Sequence, residues 1–276
     1  MPGETLEEAL GACRDLAGKG NIRAVVTRLG ENVRDKFEAE GVTNHYLQVL
    51  ERISSSGLPV EISLKLTQLG LDLDFDSCLS NLTTLLERAP AEQTVWIDMG
   101  QSSYVDATLK LFHLAHRAFP RVGVCVQAYL YRTERDLDQL VAEGAAVRLV
   151  KGAYQESREL AFPKKRDVDQ NYFRLAQILL GIEARRSGVR AVFATHDRKL
   201  INRLRAWAAF QGLNKDDVEF QMLYGIQRAE QLNLAKSGYR TGVLVSYGPY
   251  WFPWFMRRLA ERPANALFLA RNLIRD

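Results

Sequence analysis

The chain has 276 residues, 47% hydrophobic and 25% charged, the balance of a globular domain with ample material for a core. Its formal charge of +4, from 37 basic and 33 acidic residues, is too small an excess to argue for nucleic acid and suits at most a preference for anionic ligands. The opening MPGETLEEAL lacks a basic stretch followed by an apolar run, and no apolar run approaches the roughly 18 residues of a spanning helix, so neither a signal peptide nor a span is expected and any bilayer contact would be peripheral.

In chain order, residues 1–18 pattern as an amphipathic helix, making 1–20 a helical extension ahead of the first strand. A strand over 22–27 leads into one long helix over 31–55, stopped by Gly57-Leu58-Pro59. Then strands and helices alternate: strand 61–66 and helix 75–88, strand 94–98 and helix 105–118, strand 122–127 and helix 134–143, strand 147–150 and helix 169–186. Strand 191–195 and helix 199–211, strand 218–222 and helix 228–237, and strand 241–245 with an aromatic-rich stretch over 251–262 complete the series. Thr133 is read as the cap of the helix that follows it, and Asp197 as the cap of its own.

Alternating strand and helix predicts a parallel sheet covered by helices. Near-continuous apolar strands predict that the sheet is buried on both faces. Eight such units without a break in composition predict an α/β fold of (β/α)8 TIM-type, one domain over 1–276 with an extra N-terminal helix. Cys13, Cys78 and Cys125 lie far apart with no CxxC, which fits a reducing, cytoplasmic setting. His113 and His116 sit three apart with no nearby cysteine, and with His45 and His196 they make no HExxH pattern, so no metal site is expected.

In such a barrel the chemistry belongs at the carboxyl ends of the strands. There the sequence has Lys65, Asp98, Gln127, Arg148 followed by Lys151-Gly152-Ala153-Tyr154, then Thr195-His196-Asp197, and Glu219, Gln221 and Leu223. Arg257 and Arg258 follow on the last helix, among Trp251, Phe252, Trp254, Phe255 and Met256. Each has a plain structural alternative. Asp98 is the right residue to cap a helix, Lys65 can snorkel, His196 can be a core histidine, and Arg257-Arg258 can be a solvated face. Arg148, between Val147 and Leu149, needs a partner because a guanidinium in an apolar strand is costly alone; Asp98 and Glu219 are the structural candidates. Together these groups make a ring of net positive character, suited to an anionic ligand or a cofactor carrying phosphates.

The strings IDMG at 97–100, VQAY at 126–129, RLVKGAY at 148–154, ATHD at 194–197, EFQMLYG at 219–225, FMRRLAERPAN at 255–265 and ISLKL at 62–66 run in the order of the proline dehydrogenase family, which the chain resembles over most of its length. The resemblance implies a distorted (β/α)8 barrel with non-covalent FAD. It also implies oxidation of L-proline to pyrroline-5-carboxylate by hydride transfer to the flavin N5, with electrons passed to a membrane quinone. It assigns Lys65, Arg257 and Arg258 to the substrate carboxylate, Tyr154 and Leu223 to the pocket wall, and Asp98 and Arg148 to the catalytic neighbourhood of flavin and amine. Met99, Gln127, Arg148, Lys151, Gly152, Ala153, Thr195, His196 and Gln221 would hold the FAD.

Two departures stand out. The family's last strand commonly reads Tyr-x-Pro-x-Gly, where this chain has Leu244-Val245-Ser246-Tyr247-Gly248. If Leu244 takes the tyrosine place, a hydroxyl beside the substrate is gone, unless Tyr247 or Tyr250 compensates, and 4-hydroxyproline or another cyclic amine becomes an alternative substrate. Gly100 stands where an acidic residue is common. Other readings of the same barrel are a Schiff-base aldolase-like enzyme using Lys151 and a binding module without catalysis.

Overall fold

The computed structural model of the chain describes residues 1–20, 22–30, 32–249 and 251. The eight apolar runs form eight parallel strands: β1 (Ile22–Arg28), β2 (Val60–Lys65), β3 (Val95–Asp98), β4 (Val122–Gln127), β5 (Ala146–Val150), β6 (Arg190–Ala194), β7 (Glu219–Leu223) and β8 (Arg240–Tyr247). Each pairs with the next, and β8 returns to β1 from Ile22↔Thr241 to Arg28↔Tyr247, closing the barrel. This is the (β/α)8 architecture the alternation demanded. Closure leaves no sheet edge unpaired.

Nine helices are described: α1 (Leu6–Ala17), α2 (Lys36–Ser56), α3 (Phe75–Arg88), α4 (Val105–His116), α5 (Thr133–Ala142), α6 (Lys165–Leu179), α7 (Ile182–Ser187), α8 (Arg198–Phe210) and α9 (Arg228–Lys236). The N-terminal helix is α1, held at its start by a reciprocal cap between Thr5 and Glu8.

Three expectations need correction. The long second helix begins at Lys36 and not at 31, because the Asp35 carboxylate accepts from the Glu38 backbone N–H and fixes the cap there. The run 169–186 starts earlier and is broken in two, with Gly181 opening the second piece in an extended conformation. Thr133 is the first helical residue and not the cap; its hydroxyl instead donates to the Gln127 carbonyl at 2.6 Å. Asp197 caps α8 as expected, accepting from the Lys199 N–H. Of the aromatic-rich stretch 251–262, all but Trp251 lies outside the described residues, Arg257 and Arg258 included.

Residues on the outer strand face pack with the helices into one apolar shell. The inner face is different. Trp96, fully buried, forms an inner apolar layer with Val25, Ala146 and Val192, against which half-buried Leu244 packs. Toward the amino ends of the strands, Arg190 bridges Glu61 and Glu219, both 3% exposed, and the Trp96 indole N–H donates to Glu61 at 2.7 Å. A charged floor is sustainable here because every member has a partner. At the opposite, carboxyl end the inner face carries the polar groups described next.

Candidate active site

Arg148 is the centre of the site. On β5, with Val147 and Leu149 pointing out to the helices, its side chain must point into the barrel, where it is 3% exposed. Its Nη1 donates to Ser63 Oγ and to Asp98 Oδ1, both at 2.9 Å. The guanidinium carbon lies 4.4 Å from the centroid of the Trp96 ring, so the indole face is the floor on which the cation rests. The Arg190 guanidinium approaches the same ring at 5.3 Å. Arg148 Nε and Nη2 are buried and have no hydrogen-bond partner among the described residues.

Asp98 ends β3 and is therefore the partner of Arg148, not a helix cap; the turn that follows is preceded by Gln101. Glu219, the other structural candidate for Arg148, belongs to Arg190 instead. Lys65 ends β2 in direct register with Asp98. Lys65, Asp98, Gly100, Tyr154, Asn32 and Tyr104 border a cavity of about 130 Å³. Tyr154 is 9% exposed, whereas Leu223, the other expected wall residue, sits 37% exposed on the rim.

The remaining candidates are distributed around the same mouth. Gln127 ends β4; its Nε2 donates to the Gly100 carbonyl at 3.0 Å and its buried Oε1 has no partner among the described residues. Gln221 on β7 is alike, its Nε2 donating to Glu219 at 3.0 Å and its Oε1 buried and unmatched. His196 Nε2 accepts from the Leu223 N–H at 2.9 Å, and burial pulls its pKa down to about 4, so it is a neutral ring tying the loop after β6 to the end of β7. Thr195 Oγ1 accepts from the Asp197 N–H. Met99 packs its side chain into the outer apolar shell.

Lys151 sits between the Asp169 and Asp197 carboxylates, with Lys165 bonded to the same pair. Burial alone would raise the Asp197 carboxyl, but the two lysines outweigh it and hold it at about 2. The Lys151 Nζ is thus tied to two carboxylates, the placement of a structural cross-link and not of an imine-forming nucleophile. Beside it Gly152 takes φ 103°, and a Cβ there would come within 2.2 Å of the Tyr129 ring, so the Lys151–Ala153 turn depends on a glycine.

β8 settles one departure. Leu244 faces the barrel interior, so Tyr247 faces out, fully buried with its hydroxyl 2.8 Å from His45 Nε2 on α2. Tyr247 therefore does not stand in for a tyrosine at the site. Tyr250 lies outside the described residues.

Sequence reading missed Ser63, Trp96, Asn32 and Tyr104. Ser63 and Trp96 were hidden because a strand buried on both faces shows no alternation to mark its inner positions. Tyr104 lies in a short turn, Ser102–Tyr104, with no periodicity at all.

A family model described as "Proline dehydrogenase" matches residues 9–271. The chain belongs to the proline dehydrogenase family. Proline dehydrogenase 2 of Bacillus subtilis subsp. natto is 38% identical over 272 residues, covering 98% of this chain and 88% of that one. The proline dehydrogenase of Deinococcus radiodurans is 34% identical over 281 residues, covering all of this chain and 89% of that one. Among solved structures, proline utilization A (PutA) from Bdellovibrio bacteriovorus, inactivated by N-propargylglycine, superposes with a TM-score of 0.80 at 24% identity. That match takes in 90% of this chain and 30% of the PutA chain, so the chain spans under a third of that protein. At this identity the likeness speaks for the barrel. This proline dehydrogenase family member is thus an oxidoreductase, and no described helix is long and apolar enough to cross a membrane.

Proposed function

We propose that the chain oxidises L-proline to pyrroline-5-carboxylate with a non-covalently held FAD and passes the electrons to a quinone, residues 1–276 forming one catalytic barrel. The substrate follows the name its relatives carry. The observation that carries the cofactor reading is Arg148. A buried guanidinium that donates from one nitrogen only keeps two nitrogens for a ligand. Gln127 and Gln221 each keep a buried acceptor oxygen. Fixed donors and acceptors at one barrel mouth suit a planar heterocycle that bears both carbonyl oxygens and an N–H, and the residues present fit a flavin on that ground.

When bound, FAD supplies a two-electron acceptor whose N5 takes the hydride. In this reading Gln127, Arg148, Gln221 and the Lys151–Ala153 turn, with Thr195, His196 and the backbone of Met99, whose side chain packs outward, hold it. The rest is positioning and electrostatics by the chain's own groups. Lys65, with Arg257 and Arg258, binds the substrate carboxylate as a charge-assisted clamp. Arg148, fixed by Ser63 and Asp98, offers preorganised positive charge where electron density accumulates, and it need not reorganise as the reaction proceeds. Loss of hydride from the ring carbon beside nitrogen gives a neutral imine only if the nitrogen also gives up a proton. We assign Asp98, in register with Lys65, to orient that amine. Tyr154 and Leu223 wall the pocket against water.

The deciding experiment is the visible spectrum of purified protein before and after adding L-proline without oxygen. A yellow protein bleached by proline, and reoxidised by a soluble quinone, is the expected result. A protein that stays colourless when given FAD, or a yellow one that proline does not bleach, overturns the reading. Arg148→Met should weaken FAD retention on a desalting column as well as turnover.

A further inference from the structure

We propose that Tyr104 is a specificity-determining residue that limits the ring size of the substrate, a role that rests on the amino-acid-oxidising reading above. The tyrosine ends the turn after β3 and borders the cavity shared by Lys65, Asp98 and Tyr154. Its ring lies directly over Gly100: a Cβ built on Gly100 would come to 3.1 Å from Tyr104 Cδ2, closer than a relaxed contact. The absence of a side chain at 100 is therefore what lets the ring settle against the backbone. At its other end the hydroxyl accepts from the Asn32 amide N–H at 3.4 Å, and the same amide nitrogen donates to the Asp72 carboxylate at 2.9 Å. Asn32 follows β1 and Asp72 follows β2. One aromatic side chain from the β3 loop is thus pinned at both ends, across the loops of two neighbouring strands.

The cavity has the chemistry of a small cyclic amino acid. An ammonium on Lys65 and a carboxylate on Asp98 stand side by side, with aromatic surface from Tyr104 and Tyr154 bordering the same space. An aromatic wall held at both ends is rigid, so a ring larger by one methylene must push Tyr104 into the Gly100 backbone or break its hydroxyl contacts. One methylene in such a pocket is worth about 10–200-fold in kcat/KM.

The test compares L-proline with L-pipecolate, its six-membered homologue, in the wild type, Tyr104→Ala, Tyr104→Phe and Gly100→Ala. The wild type should prefer proline by about 10–200-fold in kcat/KM. Tyr104→Ala should shrink that ratio by about tenfold or more, and Tyr104→Phe, which keeps the wall but frees its tip, by less. Gly100→Ala, which displaces the ring without removing it, should also lower the ratio. A ratio unchanged in both Tyr104→Ala and Gly100→Ala overturns the proposal. Failure of the wild type to oxidise proline overturns the parent reading instead. In that case calorimetric titration of the same proteins with cyclopentanecarboxylate and cyclohexanecarboxylate decides the ring-size role by itself. The selectivity between these ligands should collapse in Tyr104→Ala, and equal selectivity in wild type and variant would sink the idea.

Discussion

Replacing Arg190 by methionine should expose how the barrel floor is held together. The side chain donates to Glu61 at 2.5 Å and to Glu219 at 2.9 and 3.0 Å, and the two carboxylates are each 3% exposed. Methionine keeps much of the apolar stem and deletes the salt-bridge partner that the two glutamates share. Removing one partner of a buried ion pair costs about 3–5 kcal/mol, because the remaining charge is left desolvated. Unfolding entropy of about 2.1 cal/mol/K per residue amounts to roughly 0.6 kcal/mol/K for this chain, so Tm should fall by roughly 5–9 °C at neutral pH. The pH dependence supplies a second check. Burial pushes the Glu219 carboxyl up, and the Arg190 charge and its hydrogen bonds outweigh that, holding it below the usual carboxylate range. In the wild type that stabilisation is complete above the unfolded pKa and is lost as pH falls through the folded value. Without Arg190 the downward pulls that remain, the Gln221 hydrogen bond and the Arg23 charge, are the weaker ones, so the carboxyl protonates at higher pH and the variant loses less stability in acid than the wild type. The Tm gap, followed by circular dichroism at pH 7.5 and 5.5, should narrow in acid, and adding Glu219→Gln to Arg190→Met should recover part of the loss. An unchanged Tm, or a gap that widens in acid, would refute the reasoning.

His45 and His196 make a separate acid-sensitivity prediction. Burial pulls both pKa values down to about 4, with the Arg28 charge adding to the effect at His45. Both are depressed, so their stabilisation is complete above about 6.5 and is lost as pH falls toward 4. Tm measured across that window should fall in the wild type and fall less steeply in His45→Gln; parallel curves would count against it. Leu244→Tyr should raise the preference for proline over 4-hydroxyproline by roughly tenfold in kcat/KM, since Leu244 packs toward the barrel interior and presents no hydroxyl there. Equal discrimination in the two proteins would show that this position does not read the ring substituent.

The barrel was legible in the chain itself. Eight apolar runs separated by amphipathic stretches can bury their surfaces in few ways, and the closed parallel barrel found is the one expected, with α3 matching to the residue. Helix ends were less legible where a local hydrogen bond chose between close alternatives, as at Asp35 and Thr133. The neighbourhood of Lys65, Asp98, Gln127 and Arg148 could also be anticipated, because the carboxyl ends of barrel strands converge whatever the loops do. Which of those side chains touch could not. Arg148 had two credible carboxylates, and only the register of β3, β5 and β7 around the closed barrel gave it Asp98 and left Glu219 to Arg190. The Trp96 floor and the Tyr104 wall arise from contacts between residues remote in sequence, Glu61, Arg148 and Arg190 in one case, Asn32, Asp72 and Gly100 in the other. Periodicity reports which face of an element is buried; it carries no information about what waits on the other side. Only closing the barrel brings those faces together.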